Sequence, residues 1–222
     1  MVKPTRHSRT TRGLLVPSLL LALGIVPTVA GVVRLALLYS GTTPIEDARF
    51  AEQPVVAVLH VLTVIPYALL GALQFSPALR RQGWHRAAGI ALVPLGFAAA
   101  LTGLWMTLSY PTAPGDGPAV FAMRLVVGLA VITFLTLGVR SVATRDFAMH
   151  GAWMLRAYAL AMGAGTHVLT HLPWFIFVDD SPSGAPRAVM MAAGWIINAV
   201  VAEAVIRTKV VHRVPALQPR HS

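Results

Sequence analysis

Apolar residues along this chain come in long runs separated by short polar gaps. Six runs stand out: approximately Leu14 to Tyr39, Val55 to Phe75, Ala87 to Ser109, Val120 to Val139, Ala152 to Val178 and Ala188 to Ile206. Crossing a hydrocarbon layer of roughly 30 Å takes about 20 apolar residues in a helix. The pattern therefore predicts an all-α integral membrane bundle of six transmembrane helices spanning residues 13–209, with a basic tail at 1–12 and a second tail at 210–222. The gaps leave no room for a soluble domain. The first run follows a basic start in the manner of a secretory signal, but it exceeds the roughly 7 to 15 residues of a cleavable apolar core and reads as an uncleaved helix. Pro27, Pro66, Pro94 and Pro173 fall inside runs, which membrane helices tolerate because neighbours satisfy the freed carbonyls.

Composition agrees. Of the 222 residues, 56% are apolar and 12% are charged, and the mean hydropathy is +0.68. Soluble domains carry about a quarter charged residues. The formal charge of +10 would suggest nucleic acid in a soluble protein, but the cations sit in the gaps between runs. That placement speaks for membrane topology and contact with anionic headgroups, and against nucleic acid. There is no cysteine, which removes disulfides, thiolate catalysis, iron–sulfur ligation and thioether haem attachment. The preference for Arg over Lys, with abundant Ala, Val and Leu, suggests a GC-rich bacterial genome.

Cations fix the expected orientation. Lys3, Arg6, Arg9 and Arg12, then Arg80, Arg81 and Arg86, then Arg140 and Arg145, and finally Arg207, Lys209, Arg213 and Arg220 all fall on one side. The other side holds Glu46, Asp47, Glu52, Asp116, Asp179 and Asp180, with only Arg49 and Arg187 as cations in its loops. The positive-inside rule places both termini in the cytoplasm of an inner, plasma membrane.

Ionisable groups within the runs are the candidates for chemistry, because lipid makes them expensive. At about 1.5 Å per residue, His60 lies roughly 9 Å and His171 roughly 10 Å below the outer ends of their helices. Two imidazoles at one depth on different helices suit axial ligation of a haem b iron or a shared metal. They equally suit two histidines that each bond a neighbouring helix. Thr63 and Thr170 are nearby candidates to hold the second ring nitrogens. His167 lies one turn before His171 and is the alternative ligand. Arg34 and Arg124 occupy the same outer layer, either snorkelling to headgroups or pairing with an anionic group such as haem propionates. On the inner side His85 and His150 each precede a helix beside Trp and Arg. They are expected to cluster with Arg86 and Arg156 at the boundary, facing headgroups, a quinone-like electron carrier or a second haem. Gly89, Gly96 and Gly103 repeat every seven residues and favour close helix packing. Glu203 has Arg207 four residues on, as in a local ion pair.

No GxSxG, Walker A, HExxH or GxGxxG segment occurs, so a hydrolase is not expected. Three functional classes remain: transmembrane or membrane-surface electron transfer through haem, a transporter or anion-binding protein using Arg34, Arg124, His60 and His171, and an assembly partner whose histidines only secure packing. Weak internal repetition speaks against the transporter.

Two stretches, His60 to Gly89 and Arg145 to Trp174, carry a family resemblance. The residues are His60, Gly71-Ala72-Leu73-Gln74-Phe75, Pro77, Arg80-Arg81, His85-Arg86 and Gly89, then Arg145-Asp146, His150, Trp153-Met154, Arg156 and Tyr158, with Arg34 and Phe50 before them. In these the chain resembles the predicted membrane protein family called domain of unknown function 2306 (DUF2306). Many members carry a second basic residue after the glycine of the HRxxG segment, where this chain has Ile90, so an anionic site there would be weaker or shifted. By arrangement the family looks like b-type cytochromes of the cytochrome b-561 kind, which implies haem and electron transfer by fold-level analogy alone.

Overall fold

The computed structural model describes residues 6–76, 79, 83–178 and 180–211. Pro77, Arg80, Arg81, Asp179, residues 1–5 and the tail from His212 lie outside the described residues. So do the side chains of residues 6–13, Glu46 and residues 209–211.

Every regular element among the described residues is helical. Helix α1 runs Arg6–Ser40, followed by a single 3₁₀ turn at Ile45–Asp47 and the short α2, Ala48–Glu52. Then come α3, Pro54–Leu73, α4, Trp84–Ser109, and α5, Pro118–Ala143. The chain continues with α6, Phe147–Ala161, α7, Gly163–Phe177, and α8, Gly184–Val211.

Five helices are long and apolar enough to cross a membrane: α1, α3, α4, α5 and α8. The fifth apolar run is not the single helix expected over Ala152 to Val178. It is two 15-residue helices, α6 and α7, joined through Met162 at φ −73° and ψ 3°. The break has a cause in packing. Gly163 and Gly165, just beyond it, leave space that Trp195 of α8 and the Leu23 carbonyl of α1 fill. Glycines of this kind are a recurrent site of helix kinks.

The helices form a closed sequence of neighbours. α1 packs on α3, α3 on α4, α4 on α5, and α5 on α6. Both α5 and α6 pack on α8, and α7 joins α8 back to α1. Large apolar side chains such as Ile90, Leu101, Val126, Val189 and Val200 point outward and are exposed, the inverse of a water-soluble core and the surface that a bilayer wets.

Lipid tails are as apolar as leucine, so association between such helices rests on close packing and hydrogen bonds. Tyr158 of α6 supplies both. Its ring fills the gap at Gly71 of α3, and its hydroxyl donates to the Ala68 carbonyl at 2.8 Å. It also lies 5.3 Å from Phe75 and 6.0 Å from Tyr67 between ring centroids. On the other side, Thr166 of α7 donates to Asn198 Oδ1 at 2.8 Å, and Asn198 Nδ2 donates to the Ala159 carbonyl at 2.9 Å. Bonds of this kind contribute on the order of 0.6 kcal/mol each. The seven-residue glycine repeat follows the packing expectation at two of its positions: Gly96 meets Tyr67 and Gly103 meets His60, whereas Gly89 faces open space.

Candidate functional site

The half of the bundle expected to face outward holds most of the candidate chemistry. His60 projects from α3 toward α4. Its Nδ1 is 3.1 Å from the Ala99 carbonyl and 3.0 Å from Thr102 Oγ1. A carbonyl only accepts, so Nδ1 carries the proton and Nε2 keeps its lone pair. Thr102 gives its own proton to the α4 backbone, at 2.6 Å to the Ala98 carbonyl, which frees its oxygen to accept from the ring. The expected partner Thr63 instead bonds the Leu59 and His60 carbonyls of its own helix. A helical threonine satisfies itself on the preceding turn, and the residue that holds His60 comes from the neighbouring helix.

His171 on α7 is buried. Its Nδ1 donates to the His167 carbonyl at 2.8 Å, with Thr170 Oγ1 3.4 Å away, so its Nε2 is also the unprotonated nitrogen. Its ring stacks on Phe175, with centroids 6.4 Å apart and planes 28° apart. His167 is different. It sits over Gly194 of α8, edge-on to Trp195 with centroids 4.6 Å apart, and commits Nε2 to the Met191 carbonyl at 3.0 Å. His167 fastens α7 to α8.

Arginines occupy the outer ends. Arg34 of α1 forms a three-bond fork with Asp47, at 2.8 to 3.2 Å, and its guanidinium lies 4.4 Å from the Phe50 ring centroid. Arg49 lies over the same ring at 4.6 Å. Phe50 packs edge-on against Tyr110, with centroids 5.8 Å apart, and the Tyr110 hydroxyl donates to the Gln53 carbonyl. A buried carboxylate organises the other side. Asp116, only 2% exposed at its side chain, pairs at 2.5 Å with both Arg124 of α5 and Arg187 of α8. Two of the loop acids, Asp47 and Asp116, are thus the partners of arginines at this end.

On the inner side, His85 and His150 lie in the first turns of α4 and α6, and α5 packs on both helices. His150 Nδ1 donates to the Gly138 carbonyl of α5 at 3.0 Å, the same tautomer as in His60 and His171. Asp146 caps α6 by accepting from the Met149 amide at 3.0 Å, after Arg145 turns the chain at φ 60°. Arg156, one to two turns further along α6, is tied to α8. Its Nε and Nη2 donate to Glu203 at 2.5 and 3.0 Å, and its guanidinium lies 4.6 Å from the Trp153 ring centroid. Glu203 therefore answers Arg156 across the α6–α8 interface, in place of the pairing expected with Arg207 on its own helix. A guanidinium fork matches both carboxylate oxygens at once.

Among the described residues no group of three or more His, Asp or Glu side chains could hold a metal ion.

Long apolar helices in lateral contact, polar groups tied helix to helix, and charges gathered at the ends define a multi-pass helical membrane protein. The family model for predicted membrane proteins of the DUF2306 kind matches residues 57–206, and the chain belongs to that family. No curated protein and no solved structure matches the chain. Several residues that carry the family likeness meet in space: Arg34 with Phe50, Gly71 and Phe75 with Tyr158, and Trp153 with Arg156.

Proposed function

We propose that this protein is a six-span bundle of the plasma (inner) membrane with both termini in the cytoplasm, and that it binds b-type haem through Nε2 of His60 and His171 to carry electrons. The observation that carries the reading is the tautomer. Both rings hold their Nδ1 proton on a backbone carbonyl, the arrangement that orients an imidazole and raises the basicity of Nε2 toward a metal. The two helices that carry these histidines, α3 and α7, both pack on α1.

A bound haem supplies one-electron oxidation and reduction. The chain's own part is to fix the two imidazoles, keep the surroundings apolar and set cations near the outer end. Arg34 and Arg124, held by Asp47 and Asp116, are the candidates to face propionates. On the inner side His150, with the same exposed-lone-pair tautomer, and His85 with Arg86 would meet headgroups, a quinone-like carrier or a second haem. Arg156 is paired with Glu203 just as Arg34 and Arg124 are paired with Asp47 and Asp116, and would meet the same group from the α6–α8 side.

The test is a dithionite-reduced minus oxidised spectrum of the protein expressed with ample haem. A Soret band is expected that is lost in His60→Ala and in His171→Ala but kept in His167→Ala, whose Nε2 is already engaged. No band in the wild type, or a band untouched by both of the first two substitutions, overturns the assignment. Topology is tested separately by reporter fusions at residues 45, 83, 115, 143 and 183, expected to report outside, inside, outside, inside, outside. Two successive fusions on one side would remove a span.

A further inference from the structure

We propose that the cavity between Arg49 and Arg124 at the outer face is a binding site for a small monovalent anion, a chloride-sized ion or a carboxylate group. The cavity measures about 30 Å³ and is bounded by Arg49, Thr107, Tyr110, Asp116, Phe121 and Arg124, room for one or two heavy atoms. Three observations converge on it.

The first is an imbalance of charge. Arg49, Arg124 and Arg187 gather around the single carboxylate of Asp116, three cations to one anion, so two positive charges are in excess. Arg34 and Asp47 both act on Arg49 but pair with one another, so together they leave the excess unchanged. The second is an unused donor. Arg49 Nε is buried without a hydrogen-bond partner among the described residues, while its Nη1 reaches only the Pro111 carbonyl at 3.4 Å. Buried guanidinium N–H groups ordinarily find an acceptor. The third is mutual repulsion. Burial first, and the Arg124 guanidinium second, pull the Arg49 pKa below its ordinary value, which is the electrostatic condition that an anion between the two guanidiniums would relieve.

Size sets the ligand class. The enclosed part of the cavity, about 30 Å³, holds a group of one or two heavy atoms, and the rest opens to solvent. A halide fits, and so does the carboxylate end of a larger molecule whose remainder stays in the outer solvent. Phe50 fixes Arg49 from one side, and a single ion pair, Nη1 to Asp116 Oδ2, holds Arg124 without hydrogen-bond geometry. The site shares Arg124 with the proposed propionate contact but neither His60 nor His171, so loss of chloride broadening with the Soret band retained overturns this site and leaves the histidine ligation standing.

The experiment is ³⁵Cl line broadening with the full-length protein in detergent, repeated with sodium formate and with sodium gluconate as competitors at constant ionic strength. Saturable broadening is expected for the wild type and at least a tenfold weaker effect in Arg49→Gln. Displacement by formate assigns the site to carboxylates as well as halides, and resistance to formate assigns it to halides alone. Gluconate, too large as a whole for the enclosed part of the cavity, is expected to compete no better than through its carboxylate end. Absence of saturable broadening in the wild type, or equal broadening in a folded Arg49→Gln, overturns the site. Should Arg49→Gln not fold, the wild-type series decides: chloride-dependent protection against thermal unfolding that sulfate reproduces at matched ionic strength is screening, and sinks the proposal.

Discussion

Asp116→Ala is expected to destabilise the protein by about 3–5 kcal/mol, the usual cost of removing one partner from a buried ion pair. The carboxylate is almost fully enclosed and serves two guanidiniums, Arg124 at the start of α5 and Arg187 at the start of α8. Its backbone reinforces the same junction, with the Asp116 amide donating to the Ala113 carbonyl at 3.0 Å and the Gly184 amide donating to the Gly115 carbonyl at 3.0 Å. Removing the carboxylate leaves two cations facing each other with no counterion. Arg187→Gln is expected to cost less, because Arg124 keeps its partner. Thermal or SDS unfolding in detergent, followed by circular dichroism, measures both. An Asp116→Ala variant within about 0.5 kcal/mol of wild type, the range of a neutral surface change, would show that the junction is held by its backbone alone.

Gly165→Leu is expected to lower folded yield and unfolding temperature, with an energetic cost of about 1–3 kcal/mol or more from overpacking. A side chain at Gly165 would fall on the Leu23 carbonyl of α1, and a backbone oxygen inside a helix has no rotamer by which to withdraw. Gly89→Leu is the matched control, since open space lies where its side chain would extend. If both variants behave alike in size-exclusion profile and melting temperature, the α1–α7 contact does not govern assembly.

The bundle's helices were legible in the sequence because hydropathy over twenty residues is a strong signal and lipid imposes it on every exposed face. The break at Met162 was not. Hydropathy sums over a window and cannot register a single turn residue inside a continuous apolar run, although Gly163 and Gly165 mark the spot in retrospect. The histidines and arginines could be placed in layers by depth alone. Their partners could not, because a hydrogen bond between helices depends on rotation about each axis. Thr102 holds His60 from another helix, while Thr63, nearer in sequence, turns back on its own. Arg34 and Arg124 were visible as costly intramembrane cations, and Asp47 and Asp116 were visible only as loop charges that set topology. Glu203 illustrates the same limit: its nearest cation along the helix is Arg207, but the packing of α6 on α8 brings Arg156 to it.

The break at Met162 makes one wall of the bundle an articulated stave. Its lower piece, α6, packs on α5 and is fastened to α3 through Tyr158 and to α8 through the Arg156–Glu203 fork, while its upper piece, α7, is fastened to α8 and α1. Any swing about the joint would carry His167 and His171 with it and leave His150 and Arg156 where they stand. Asn198 of α8 resists such a swing, because it accepts from Thr166 on one side of the break and donates to the Ala159 carbonyl on the other, splinting the two pieces.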